Sequence, residues 1–151
     1  MAVVNDIVDS MKTKIEAITP SQYNYPLFRE SKSKEPLAEA IKGGKFERSF
    51  RITPLGDSVL MKPWGSTSGE YQETFDVTFG YVSEQDDLKV HRKMDSDRQD
   101  IIKALQSAGL SWPSSLVNIL VLGQGSKISV GEEGANAYLM SIPFQLTYDI
   151  T

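Results

Sequence analysis

The last part of the chain alternates between large apolar or aromatic residues and mostly polar ones. Every second residue from position 138 is of the first kind: Tyr138, Met140, Ile142, Phe144, Leu146, Tyr148 and Ile150. A period of two predicts a strand with one buried face and one wetter face. Pro143 lies inside this strand and cannot donate to a β ladder. The pattern therefore predicts an edge position or a bulge there, not a central strand.

A second alternating segment, Tyr71–Val82, predicts a long internal strand. Its first face carries Tyr71, Glu73, Phe75, Val77, Phe79 and Tyr81. Shorter strands are predicted at Phe46–Thr53, Asp57–Met61, Leu116–Leu122 and Lys127–Val130. For the apolar run Leu116–Leu122, periodicity alone does not separate strand from helix, and its short length favours a buried strand.

Apolar residues spaced three and four apart predict two helices. The first covers residues 3–18, where one stripe contains Val4, Ile7, Met11, Ile15 and Ile18, and Pro20 ends it. The second covers residues 96–108, with Ser96 or Asp97 as the expected N-cap and Gly109 as its end. Residues 35–42 are long enough for one or two further helical turns.

This order of elements predicts an α+β fold. We expect a central antiparallel or mixed β-sheet, packed by the N-terminal helix and by the second helix near residues 96–108. Helices alternate too rarely with strands for a doubly wound parallel sheet. A length of 151 residues predicts a single domain over 1–151.

Charge and composition exclude several classes of function. The net charge of -4 gives a field that does not favour nucleic acid. No run approaches the ~20 apolar residues of a membrane span. Asp6 and Asp9 near the N-terminus do not fit a signal peptide. The absence of cysteine rules out disulfides, thiolate metal sites and a cysteine nucleophile.

The sequence contains no recognisable catalytic, cofactor or metal motif. The single histidine, His91, lies in a charged stretch with Lys89, Arg92 and Lys93 that we interpret as a solvated loop. No G-x-S-x-G elbow or EF-hand spacing is present, and Gly123-Gln124-Gly125 lacks the rest of a dinucleotide fingerprint. We therefore predict a protein that is not an enzyme and has no cofactor. A site made only of carboxylates stays open as an alternative.

Two loops carry aromatic residues that suit a partner interface. Tyr23, Tyr25 and Phe28 lie in Thr19–Ser33, and Trp64 lies in Pro63–Gly69. Such side chains are costly to leave in water and are enriched at interfaces. They are our candidate interface residues, and the alternative is that they cover the domain's own core.

Four elements together resemble a known family. They are an N-terminal amphipathic helix with Ile7, Met11 and Ile15, a long middle strand Thr74–Val82, a helix opened by Asp95–Asp97, and the closing strand Pro143–Ile150. In this order the chain resembles the tail terminator proteins of long-tailed bacteriophages. These are small α+β proteins that cap the tail tube and join it to the head.

The resemblance implies a virion structural protein of the tail and neck, made in the host cytoplasm. It implies a homohexameric ring, with neighbouring neck and tail-tube proteins as further partners, no membrane, and DNA only as passing cargo. An acidic balance fits a lumen that does not retain the phosphate backbone, because like charges repel. The alternatives are a head-completion or stopper protein, a tail-tube-like virion protein, or a small non-catalytic adaptor module.

Overall fold

The computed structural model describes residues 3–21, 27–31, 47–61, 69–82, 87–106, 112–113, 116–122, 126–130 and 137–150. Within these residues the chain forms two helices, α1 (Val3–Glu16) and α2 (Asp87–Gln106). It also forms six strands: β1 (Arg29–Glu30), β2 (Ser49–Met61), β3 (Gly69–Val82), β4 (Leu116–Val121), β5 (Ser126–Val130) and β6 (Ala137–Ile150). The predicted α+β class, with helices on a mixed sheet, is confirmed.

The strands form one sheet in the order β1-β2-β3-β6-β4, and β5 follows β4 along the same side of β6. Only β1 pairs in parallel, with β2, and the other described pairs are antiparallel. The strands β3 and β6 pair along their full length, from Gly69↔Ile150 to Val82↔Ala137. This long central pair is the frame on which the rest of the molecule is built.

The core lies on one face of that pair. Opposed residues such as Phe75 and Phe144, or Val77 and Ile142, are buried together on this face. Helix α1 packs against α2 and β1, and α2 packs against β3 and β4. The helices bury Ile7, Met11 and Ile15 from α1, and Val90, Met94, Ile101 and Leu105 from α2. The predicted face of β3 is buried from Phe75 to Tyr81, and that of β6 is buried from Met140 to Tyr148. The predicted stripe of the first helix is confirmed at its three positions.

The edge position predicted for the last strand is wrong, because β6 is a central strand. It has β3 on one side, and β4 and β5 pair with successive parts of its other side. Leu122 N–H donates to the Pro143 carbonyl at 2.8 Å, so the backbone of Pro143 faces away from β3. Its missing N–H therefore falls between the last β4 pair, Val121↔Phe144, and the first β5 pair, Ser126↔Ser141. A proline fits a central strand here because the neighbouring ladder is itself interrupted.

The second helix begins at Asp87, well before the predicted residue 96. Its basic cluster, read from sequence as a solvated loop, is helical, and Lys93 is buried. Asp97 is not an N-cap, because it lies in mid-helix and is fully buried. The buried stripe is Val90, Met94, Asp97, Ile101 and Leu105, with spacings of four, three, four and four. The acidic residue within this stripe hides the apolar period from sequence analysis.

The two short strands predicted at Phe46–Thr53 and Asp57–Met61 are one strand, β2. Its register to β3 shifts between Pro54 and Gly56 and again between Val59 and Met61. These irregularities explain why the alternation looks broken in the sequence. The strands predicted at Leu116–Leu122 and Lys127–Val130 correspond to β4 and β5. The burial predicted for the first is wrong, because β4 lies at the edge of the sheet and exposes Leu120.

Several predicted features lie outside the described residues, among them the turns at 35–42, the helix end at Gly109 and most of the loop Pro63–Gly69. The loop predicted over Thr19–Ser33 contains the short strand β1. Neither described helix is long and apolar enough to cross a membrane.

Candidate functional site: a buried ion-pair network and the outer edges of the sheet

Arg48, the residue before β2, has an unusual backbone conformation. Its φ is 60°, in the left-handed region that non-glycine residues seldom occupy. Its N–H donates to the Gly80 carbonyl at 2.7 Å, and its own carbonyl accepts from Arg29 N–H at 3.3 Å. The backbone of Arg48 is therefore held from both sides, by β3 and by β1.

The Arg48 side chain forms a buried ion pair with Asp97 of α2. Its Nε lies 2.8 Å from Asp97 Oδ2, and its Nη2 lies 2.9 Å from Oδ1. Tyr81 of β3 donates its hydroxyl to Asp97 Oδ2 at 2.6 Å. The guanidinium carbon of Arg48 also lies 5.5 Å from the centroid of the Phe28 ring. All of these side chains are fully buried. The bidentate ion pair between Arg48 and Asp97 joins α2 to the sheet.

Burial shifts the pKa values of two groups in this network. It raises the pKa of Asp97, although the hydrogen bonds from Arg48 and Tyr81 act in the opposite direction. Burial also raises the pKa of Tyr81 well above its ordinary value, and the negative charge of Asp97 adds to that shift. One helical turn away, Lys93 Nζ pairs with Glu47 Oε1 at 2.6 Å. In the described residues no buried side-chain nitrogen or oxygen lacks a hydrogen-bond partner.

The outer edge of β4 is apolar and uncharged. Because Leu122 N–H donates to the Pro143 carbonyl, Leu120 and Leu122 direct their backbone groups toward β6, and Ile119 and Val121 direct theirs outward. The outward N–H of Ile119 is bound by the neighbouring Asn118 Oδ1 at 2.9 Å. The side chains of Leu120 and Leu122 are 44% and 37% exposed.

The opposite edge of the sheet runs along β2. Strand β1 pairs only with Ser49 and Phe50, and Ser31 N–H donates to the Phe50 carbonyl at 2.8 Å. By alternation, the backbones of Ile52 and Pro54 face the same outer side. Leu55 follows them and is 59% exposed. No described residue pairs with the outer side of β2 beyond Phe50, or with that of β4.

The sheet face opposite the helices is mostly polar and half-buried. Across β3 and β6 it carries Gln72, Thr74, Asp76, Thr78, Ser141, Gln145 and Thr147, together with the apolar Leu139 and Pro143. Thr78 Oγ1 and Ser141 Oγ lie 3.3 Å apart across the strand pair. Both described helices pack on the other face, so these side chains form a mostly polar surface.

The structure describes one of the four predicted interface residues. Phe28 is fully buried, and its ring meets the Phe79 ring edge-on at 5.5 Å between centroids. Phe28 has no exposed area to offer a partner, so the alternative prediction, that the aromatics cover the domain's own core, fits this residue. Tyr23, Tyr25 and Trp64 lie outside the described residues.

Sequence analysis missed the ion-pair network, although a signal for it exists. Adjacent Glu47 and Arg48 carry charges opposite to those of Lys93 and Asp97, which are spaced one helical turn apart. That match is visible only after residues 87–106 are recognised as one helix. The described residues contain no group of three or more His, Asp or Glu placed to hold a metal ion.

Comparison with protein-family models and with curated proteins finds no match to this chain.

Proposed function

We propose that this protein is a structural component of a tailed-phage virion, forming a homohexameric ring that terminates the tail tube and joins it to the head around the DNA passage. The observation that supports this function is the order of long elements: amphipathic α1, long β3, α2 and the closing strand β6. These are the elements that resemble the tail terminator family. The early start of α2 lengthens that helix and leaves the order unchanged.

The use of the charged residues supports a structural role. Arg48 and Tyr81 both donate hydrogen bonds to Asp97 inside the core, and these contacts join α2 to the sheet. The polar face of β3 and β6, in a chain of net charge -4, suits a surface past which DNA moves without being retained. We propose that this polar face lines the lumen of the ring.

Mass measurement and electron microscopy test the ring. We expect native mass spectrometry of the purified chain to give six times the subunit mass of 16.8 kDa, and negative-stain images to show rings. A chain that stays monomeric at high concentration, with no density at the neck of the virion, would contradict the proposal.

The position of the protein in the virion separates the alternatives. Antibody labelling at the head-proximal end of the tail tube supports a terminator. Labelling between that end and the portal indicates a head-completion or stopper protein, and labelling along the tube indicates a tail-tube-like protein. A monomer or dimer that does not enter virions indicates an adaptor module.

A further inference from the structure

The exposed large hydrophobic side chains concentrate at the two outer edges of the sheet. Among the described residues, Leu55 lies on β2, Leu120 lies on β4 with Leu122 directly after it, and the only other one is Leu88 on α2. Single exposed leucines are common on protein surfaces, but these three lie on or directly after β2 and β4. The outer sides of these strands, beyond Phe50 on β2, have no partner among the described residues. The two edges are therefore the surfaces that gain most from being covered.

The strand directions make the two edges complementary. β2 is antiparallel to β3, β3 to β6, and β6 to β4, so β4 runs opposite to β2. When a second copy lies beside the first in the same orientation, β4 of one copy meets β2 of the other in antiparallel sense. Antiparallel pairing is the more stable of the two arrangements per residue.

Charge also favours a second copy at β4. Natural edge strands are often protected by charged residues, especially lysine, or by proline. β4 contains neither, and the β6 segment beside it, residues 143–148, has no charge. Two copies that each carry a net charge of -4 therefore meet here without like charges facing each other at β4.

Both edges carry partial protection. Pro54 lacks an N–H on the outer side of β2, and Asn118 binds the outward N–H of Ile119 on β4. Within the described residues nothing pairs with the outward N–H groups of Ile52 and Val121, which we assign to pairing between copies. The ladder between copies therefore has fewer hydrogen bonds than a complete one. We expect contact of Leu55 of one copy with Leu120 and Leu122 of the next to supply the remaining stabilisation.

We propose that β4 of one copy pairs with β2 of a second copy, so that the sheet continues head-to-tail from subunit to subunit. This inference rests on the proposed function, because it names the contact between neighbours in the ring. A single chain supplies both edges in matching direction, each with an exposed leucine, which is why the partner is a copy of the chain itself. Head-to-tail contacts of this kind close into rings when the rotation permits.

Three lysine substitutions test the contact. Leu120→Lys and Leu55→Lys each place a charge on one edge, and Leu88→Lys is the matched control, at a leucine that is 60% exposed on α2. We expect the two edge variants to be monomeric in native mass spectrometry and the control to assemble like the wild type. Circular dichroism at a dilution that dissociates the wild type checks folding. Leu120→Ser and Leu55→Ser replace any lysine variant that melts early.

Mixing the two edge variants gives the decisive result. Each retains one intact edge, so an equimolar mixture should form a dimer that stops at two subunits. If Leu120→Lys is monomeric but Leu55→Lys assembles normally, β4 does not pair with β2 and the inference is overturned. If both variants form wild-type rings, the inference fails and the ring proposal stands. A wild-type chain that never assembles overturns the ring itself.

Discussion

At the scale of single residues, the Arg48–Asp97 pair is a buried charged contact between α2 and the residue before β2. Removing one partner of a buried ion pair leaves an uncompensated charge and typically costs ~3–5 kcal/mol. We expect Asp97→Asn, which keeps the size of the side chain, to lower the free energy of unfolding by about that amount in urea titrations. Asp95→Asn is the control, because the Asp95 side chain is 60% exposed where it pairs with Lys127 and such pairs contribute ~0–1 kcal/mol. Similar small losses for both variants would mean that the buried pair does not hold α2 in place.

Tyr81 gives the network a dependence on alkaline pH. Burial and Asp97 raise the pKa of Tyr81 in the fold well above its ordinary value of 10.0, which the unfolded chain retains. Above pH ~10 the unfolded chain therefore releases a proton that the folded chain still holds, and stability falls by up to ~1.4 kcal/mol per pH unit. Tyr81→Phe lacks this proton. We expect the variant to be less stable than the wild type by ~1 kcal/mol at pH 8, through the lost hydrogen bond to Asp97.

The comparison of the two proteins across pH isolates Tyr81, because the other tyrosines are the same in both. We expect the stability gap between wild type and Tyr81→Phe to narrow from pH 9 to pH 11 in urea titrations. A gap that stays constant would show that Tyr81 titrates alike in the folded and unfolded chains.

At the scale of elements, successive side chains of β6 alternate between the core and the polar face of the sheet. Phe144 is fully buried, whereas its neighbour Gln145 lies on the polar face of the sheet. We expect Phe144→Ala to lower the free energy of unfolding by ~3–5 kcal/mol and Gln145→Ala to change it by less than ~0.5 kcal/mol. Thermal melting of the two variants measures the difference. Equal small shifts would contradict the burial of this face.

Strict alternation is what made β3 and β6 predictable from sequence. One face of each strand packs on helices and the other is polar, so a period of two survives along the chain. A regular helical spacing likewise located the stripe of α1, where Ile7, Met11 and Ile15 are all apolar and buried.

The extent of α2 and the central position of Pro143 could not be predicted from local sequence, because both involve contacts with residues distant along the chain. Asp97 occupies a core position because Arg48 and Tyr81 neutralise and bind it, and neither partner is apparent from the local pattern. Pro143 fits a central strand because it lies between the part of β6 that pairs with β4 and the part that pairs with β5. Local rules treat a buried aspartate and a strand proline as exceptions, and both are resolved only by tertiary contacts.

At the scale of the whole molecule, the two ends of the sheet differ in what limits assembly. The β4 side is apolar and uncharged, whereas β2 is covered by β1 at its start and has Pro54 further along. A chain of net charge -4 also repels its copies at long range, and salt screens that repulsion. Pairing of β4 with β2 alone is therefore expected to be weak, and a further anchoring contact between copies should strengthen assembly.

Trp64, in the connection between β2 and β3, is the aromatic we expect to supply such an anchor. Trp64→Ala should weaken assembly, seen as a higher dissociation concentration in native mass spectrometry, and leave the melting temperature of the monomer unchanged. The chain has only two tryptophans, so Trp112 provides the matched contrast. It is half-buried against the core, with Lys14 Nζ 4.8 Å from its ring centroid.

Trp112→Ala should therefore destabilise the monomer, by less than the ~3–5 kcal/mol typical of a fully buried tryptophan. The two substitutions remove the same type of side chain, so the comparison separates a tryptophan at an interface between copies from one that packs on the core. If Trp64→Ala lowers the monomer melting temperature as much as Trp112→Ala does, then Trp64 packs on the core of its own subunit. The anchor between copies would then have to lie in Tyr23, Tyr25 or the leucine edges alone.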